Sequence, residues 1–219
     1  KDLISPLLVE ILQHADPIAA MEELDEQQLT LMRTTYWRNA VTAGAPSDER
    51  ALIDKLPLNI IFLPLIARIF PGARVIVALR DPRDVVLSCF QQRFGMNAAM
   101  VQFLELETSA RYYDQVMGLY WRCRARLPLR VHEVRYEDVV GDLEGATRAL
   151  AAFLGTPFEP AMLNFAATAR RREINTPSAG QVVQPLYTRS VGRWRNYAPQ
   201  IAPVRAGLDG WAARWGYAI

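Results

Sequence analysis

Five places in the 219-residue chain combine residue types and spacing that could do chemistry. Arg80 ends the β-branched run Arg74-Val75-Ile76-Val77-Ala78-Leu79 and stands directly before Asp81-Pro82-Arg83-Asp84. An arginine between a strand end and a helix start can clamp a phosphate bidentately, beside the free N–H groups and positive end of the helix. The bland alternative is a simple pair with an acidic neighbour. Ser88 lies two helical turns further on and could add a hydroxyl. Tyr136 ends a second strand-like run, where it is either a ligand contact or a core tyrosine. Lys55, flanked by Asp54, reads either as a catalytic cation or as half of a solvated ion pair. The segment from Thr176-Pro177-Ser178 to Arg193-Trp194 combines turn residues, arginines and an aromatic; packed on its own apolar residues, it would equally make a basic surface loop.

The elements that must position these residues follow from periodicity and punctuation. Ser5–Leu12 and the stretch after Leu24-Asp25-Glu26 have helical apolar spacing, with Leu29, Met32 and Tyr36 at i, i+3 and i+7. An apolar helix is expected over Leu58–Phe70, and a buried parallel strand over Arg74–Arg80. Asp81 as N-cap, Pro82 at the first helical position and Asp84 in the first turn start a helix through about Phe94. A long helix is expected over Met100–Arg126, a second strand over Leu129–Arg135, and a helix from Asp142 to Leu154 closed by Gly155 and Pro157. Strand, helix, strand, helix implies an α/β chain with a parallel sheet flanked by helices. Arg170–Pro199 reads as a long ordered loop, and loops of that length in a compact domain are usually functional.

Composition narrows the function classes. Hydrophobic content of 51% and charged content of 22% describe a soluble globular chain with enough apolar material for a core. The most apolar stretch, Leu56–Phe70, is too short and interrupted for a membrane span. The two cysteines, Cys89 and Cys123, make no disulfide framework, so a cytoplasmic setting is expected. His14 and His132 stand alone, and no metal site is expected. Net charge is +2, but residues 165–200 hold six arginines against Glu173. Such a surface suits a small polyanion. Aromatic interleaving and a nucleic-acid motif are lacking, so nucleic acid is not an expected partner.

The five places together resemble one family. Lys55 in "DKLPLN", Arg80 and Ser88 in "VALRDPRDVVLS", Tyr136 in "VRYEDVV" and the tail "NTPSAGQVVQPLYTRSVGRWRNY" stand in the order and approximate spacing of sulfotransferases that use 3′-phosphoadenosine 5′-phosphosulfate (PAPS). The similarity runs from about Lys55 to the C-terminus. It is greatest to bacterial members often fused to tetratricopeptide repeats, then to protein-tyrosine sulfotransferases. The resemblance implies a P-loop-NTPase-like sulfotransferase fold, with residues 1–219 as part of a single domain. It implies sulfuryl transfer from PAPS as co-substrate to a hydroxyl or amine of a small-molecule or peptide acceptor, without a metal. An upstream tetratricopeptide-repeat array is an expected partner.

Residue by residue, the resemblance implies that Arg80 and Ser88 bind the donor's 3′-phosphate and that Tyr136 faces the nucleotide. Arg193, with Trp194, would close the tail over the donor. Lys55 would stabilise the bridging oxygen of the leaving phosphate, with Ser178 assisting. Gln92 stands where protein-tyrosine sulfotransferases carry a further donor-binding arginine. The family also has a "PRSGTT"-like phosphosulfate loop and, about twenty residues later, a general-base glutamate. Neither is found in these 219 residues, so the chain is expected to be a fragment lacking activity by itself. The rival expectation is a noncatalytic module that binds PAPS or its 3′,5′-bisphosphate product (PAP), or a protein partner.

Overall fold

A computed structural model of the chain describes residues 2–9, 11–45, 51–165 and 186–219. The chain divides into two compact units, Lys1–Val75 with Leu119–Arg130 and Ile76–Gly118 with Val131–Ile219. No helix among the described residues is long and apolar enough to cross a membrane.

The first unit is built around helices α1 (Pro17–Glu22), α2 (Glu26–Thr42) and α3 (Leu63–Ile69). Asp16 caps α1 by accepting from Ile18 N and Ala19 N. Asp25 and Gln28 form a reciprocal capping box at the start of α2, at 2.8 and 2.9 Å. Leu3, Ile4, Leu7, Leu8 and Ile11 pack with Leu29, Tyr36 and Ala40 of α2 and with Leu65 and Ile69 of α3. Arg68 closes the connection between α1 and α2 by donating to the carbonyls of Glu22 and Leu24.

Two helical expectations are corrected here. The Ser5–Leu12 segment forms short 3-10 turns, Ser5–Leu8 and Ile11–Gln13, because so short a piece cannot offset the cost of an α-helical nucleus. The expected helix over 58–70 is a 3-10 stretch, Pro57–Phe62, followed by α3. Pro64 has no N–H to donate back one turn, which breaks the ladder there.

The second unit carries most of strands β1 (Arg74–Leu79) and β2 (Arg130–Arg135), which pair in a two-stranded parallel sheet. Helix α4 (Pro82–Gln91) follows β1, and α5 (Leu106–Arg126) begins in this unit. After β2 come α6 (Tyr136–Gly141), α7 (Leu143–Leu154) and α8 (Ala198–Arg214). The expected α/β alternation is thus present, with helix in the majority. Asp142 caps α7 through Gly145 N, and Gly155 ends it in the left-handed region at φ 68°.

Helices α6 and α8 are additions to the expected elements. Ile201, Leu208, Trp211 and Ala212 give α8 one buried face, and Ile201 packs with Leu87 of α4 and with Trp194. Trp211 anchors the helix further, donating from Nε1 to Asp114 at 2.7 Å.

Candidate phosphate site

The turn between β1 and α4 gathers the buried charged residues Asp81, Arg83 and Asp84. Asp81 caps α4 by accepting from Arg83 N at 3.0 Å, as the sequence implies. The same carboxylate also receives Arg83 Nε at 2.9 Å, Arg83 Nη2 at 2.8 Å and Trp194 Nε1 at 3.2 Å. Arg83 is fully buried. Its remaining donors reach Asp209 Oδ1 (2.9 Å) and the carbonyl of Ala218 (2.7 Å), and its guanidinium lies 4.2 Å from the centre of the Trp194 ring. A guanidinium out of water needs its N–H groups placed and its charge matched; Asp81, Asp209 and the Ala218 carbonyl take four of the five N–H groups, and the two carboxylates match the charge.

Asp84, 1% exposed, faces the other way. Its oxygens accept from the main-chain N–H groups of Gly192 (2.7 Å) and Trp194 (2.8 Å), and it stands 3.7 Å from Arg80 Nη2. Burial raises its carboxyl above the ordinary range, while the two amides and Arg80 pull it back. Sequence reading assigned Asp84 to the first-turn dipole alone; the structure makes it the anchor of a strap, Ser190–Trp194. Gly192 takes φ 65° in that strap, a left-handed conformation that suits glycine.

Arg80 therefore does pair with an acidic neighbour, but not with all of its donors. Its Nη2 donates to the carbonyl of Ser190 at 2.5 Å, and its guanidinium lies 5.2 Å from the ring centre of Tyr136. Its Nε is buried without a hydrogen-bond partner among the described residues. Such an orphan donor on a cation, next to a helix N-terminus, fits an anionic oxygen. Tyr136, the first residue of α6, donates its hydroxyl to Tyr187 O at 3.0 Å. Burial raises that hydroxyl's pKa and Arg80 opposes the rise.

The structure thus brings Arg80, Tyr136 and the strap together. Ser88 is half-buried on α4. Arg193 is exposed at the end of the strap, 5.6 Å from the Tyr197 ring. Hydrogen bonds from Arg193 and Gln91 lower the Tyr197 hydroxyl's pKa. Trp194 is only 5% exposed, with its Nε1 engaged by Asp81 and Arg83, Arg195 and Arg205 around its ring. Lys55 is exposed in the first unit, and its neighbour Asp54 accepts from Tyr36 Oη (3.1 Å) and Asn59 Nδ2 (3.3 Å). Ser178 lies outside the described residues.

Sequence reasoning missed Arg83 and Glu137. Glu137 accepts from Asp81 N (3.2 Å) and Tyr217 Oη (2.7 Å), joining the starts of α4 and α6 to the C-terminal residues. The signal for Arg83 was a surplus: "RDPRD" holds four charged residues where a cap needs one.

Comparison with known proteins supplies a family. An uncharacterized protein of Aquifex aeolicus is 29% identical over 186 residues, which is 84% of this chain and 24% of that protein. A Mycobacterium bovis omega-hydroxy-beta-dihydromenaquinone-9 sulfotransferase is 26% identical, over 61% of this chain and 37% of its own length. Cytosolic sulfotransferase 15 of Arabidopsis thaliana is 27% identical, over 40% and 27%. The chain therefore spans between about a quarter and two fifths of the length of these relatives. Among solved structures, a sulfotransferase domain from the curacin biosynthetic pathway is similar at 20% identity and TM-score 0.46, over 84% of this chain and 76% of that one. The model of the sulfotransferase family matches residues 7–160, a span that takes in Lys55, Arg80, Ser88 and Tyr136 with both strands, and the chain belongs to that family.

Proposed function

We propose that the chain binds PAPS, with Arg80 on its 3′-phosphate, and serves sulfuryl transfer to a hydroxyl or amine of a small-molecule or peptide acceptor. One observation carries the reading: a buried guanidinium donor, without a partner among the described residues, between a strand end and a helix N-terminus. Membership of the sulfotransferase family supports the donor class.

In such a transfer the bond from sulfur to the donor's bridging phosphate oxygen breaks. A bond from sulfur to the acceptor atom forms, and the acceptor gives up a proton. Negative charge collects on the departing phosphate, so positioned cations and donors lower the barrier. Lys55 and Ser178 are the residues that the motif resemblance assigns to that phosphate. Arg80, Ser88, Tyr136 and Arg193 would hold the nucleotide. Trp194 would act by packing, since its ring and Nε1 are already engaged. The free thiols Cys89 and Cys123 extend the proposal to a cytoplasmic setting, and the resemblance extends it to a tetratricopeptide-repeat neighbour.

Calorimetric titration with PAP tests the reading. Arg80→Ala should lose about 1.5–3 kcal/mol of binding, the worth of a charge-assisted contact. Unchanged affinity overturns the assignment.

A further inference from the structure

Asp84 sits in the first turn of α4, yet the cap of that helix is Asp81. Both Asp84 oxygens are used at long range, on main-chain N–H groups 108 and 110 positions later. The same carboxylate stands 3.7 Å from Arg80 Nη2, and that nitrogen donates to the carbonyl of Ser190. One side chain thus fixes Gly192 and Trp194 directly and bears on Ser190 through Arg80. An asparagine could not substitute, because its NH2 would meet an N–H with another donor. With Nη2 held by Ser190, the guanidinium has a set orientation, and its buried Nε has no hydrogen-bond partner among the described residues.

We propose that Asp84 is a positioning residue for phosphate recognition: it clamps the Ser190–Trp194 strap to Arg80 and so presets the guanidinium for the 3′-phosphate. The proposal rests on Arg80 as the 3′-phosphate ligand. Preorganisation lowers the ordering cost of binding, and it does so only for ligands that use the preset group. A merely structural anchor would affect all nucleotides alike, whereas a positioning residue acts on one phosphate.

The test compares adenosine 3′,5′-bisphosphate with adenosine 5′-monophosphate by calorimetry, in the wild-type chain, Asp84→Asn, Arg80→Ala and the double variant. Asp84→Asn should weaken the bisphosphate about tenfold and the monophosphate by less than about twofold. The double variant should bind the bisphosphate no more weakly than Arg80→Ala alone. Equal losses on both ligands, no loss on either, or additive losses in the double variant overturn the positioning role. If Arg80→Ala leaves the preference for the bisphosphate intact, the phosphate assignment itself fails. A selective loss in Arg80→Ala without one in Asp84→Asn sinks only the positioning role.

Should Asp84→Asn fail to fold, Gly192→Ala disturbs the strap from its other side. Its φ of 65° strains any residue that carries a Cβ, and the Arg195 guanidinium must also move aside. The same ligand-selective loss is expected, and a loss shared by both nucleotides, or none, overturns the proposal.

Discussion

The two units hold their candidate residues in different ways. In the first, Lys55 is exposed next to Asp54, which accepts from Asn59 and from Tyr36 of a cluster of leucines, isoleucines and Ala40. In the second, the first turn of α4 buries its ionisable side chains, Asp81, Arg83 and Asp84 being 5%, 0% and 1% exposed. Apolar cores are non-directional and tolerate swaps of similar volume. A buried ionic cluster has directional bonds, and losing one member strands the others without water. Hydrocarbon therefore gives the first unit bulk stability, and charge gives the second a single arrangement around Arg80.

Conservative and drastic changes should separate the two regions. Arg83→Ala leaves Asp81 and Asp209 short of a partner and is expected to cost about 3–5 kcal/mol in urea unfolding. Arg83→Lys should recover less than half of that, because an ammonium cannot reproduce the fork. Leu65→Ala should cost about 2–4 kcal/mol and Leu65→Met less than about 1.5. A Lys at 83 tolerated as well as a Met at 65 would erase the distinction.

The smallest effect concerns one thiol. Burial raises Cys89 from its ordinary 9.0 to about 11, against the pull of Arg80. At pH 8 its thiolate fraction, and so its alkylation by iodoacetamide followed by peptide mapping, should be about a hundredfold below an ordinary thiol's. Arg80→Ala should slow it further; an unchanged rate would show that the Arg80 charge does not reach it. Folding holds this pKa above its unfolded value. The associated stability is therefore present below pH 9 and lost as pH rises through about 11.

Much of the local structure was legible because it rests on local rules. Asp81-Pro82 and Asp142 announce helix starts and Gly155 a helix end, and each does so in the fold. Helix α8 was hidden by Pro199, Pro203, Gly207 and Gly210, which read as breakers. Pro199 falls in the first turn, where no N–H is needed, and Pro203 removes a single ladder bond. Burial on one face, from Ile201 to Trp211, outweighs that loss. The place of Arg80 between a strand end and a helix start was legible from the β-branched run before it. Arg83 was not, since arginine is rarely fully buried and two of its partners, Asp209 and Ala218, are more than 120 residues away. Local pattern finds caps; it does not find long-range pairs.

That separation along the chain has a consequence during synthesis. The contacts that satisfy Arg83 and Asp84 span 108 to 135 positions. At about 5–20 residues per second, a ribosome takes roughly 5–25 s to deliver the strap and the C-terminal residues after α4 has emerged. For that interval the arginine and both aspartates remain hydrated, and the apolar side of α4 lacks Trp194 and Ile201. The candidate phosphate site is thus among the last parts of the chain to be completed, and nascent chains stopped before residue 190 should present α4 to chaperones without its cover.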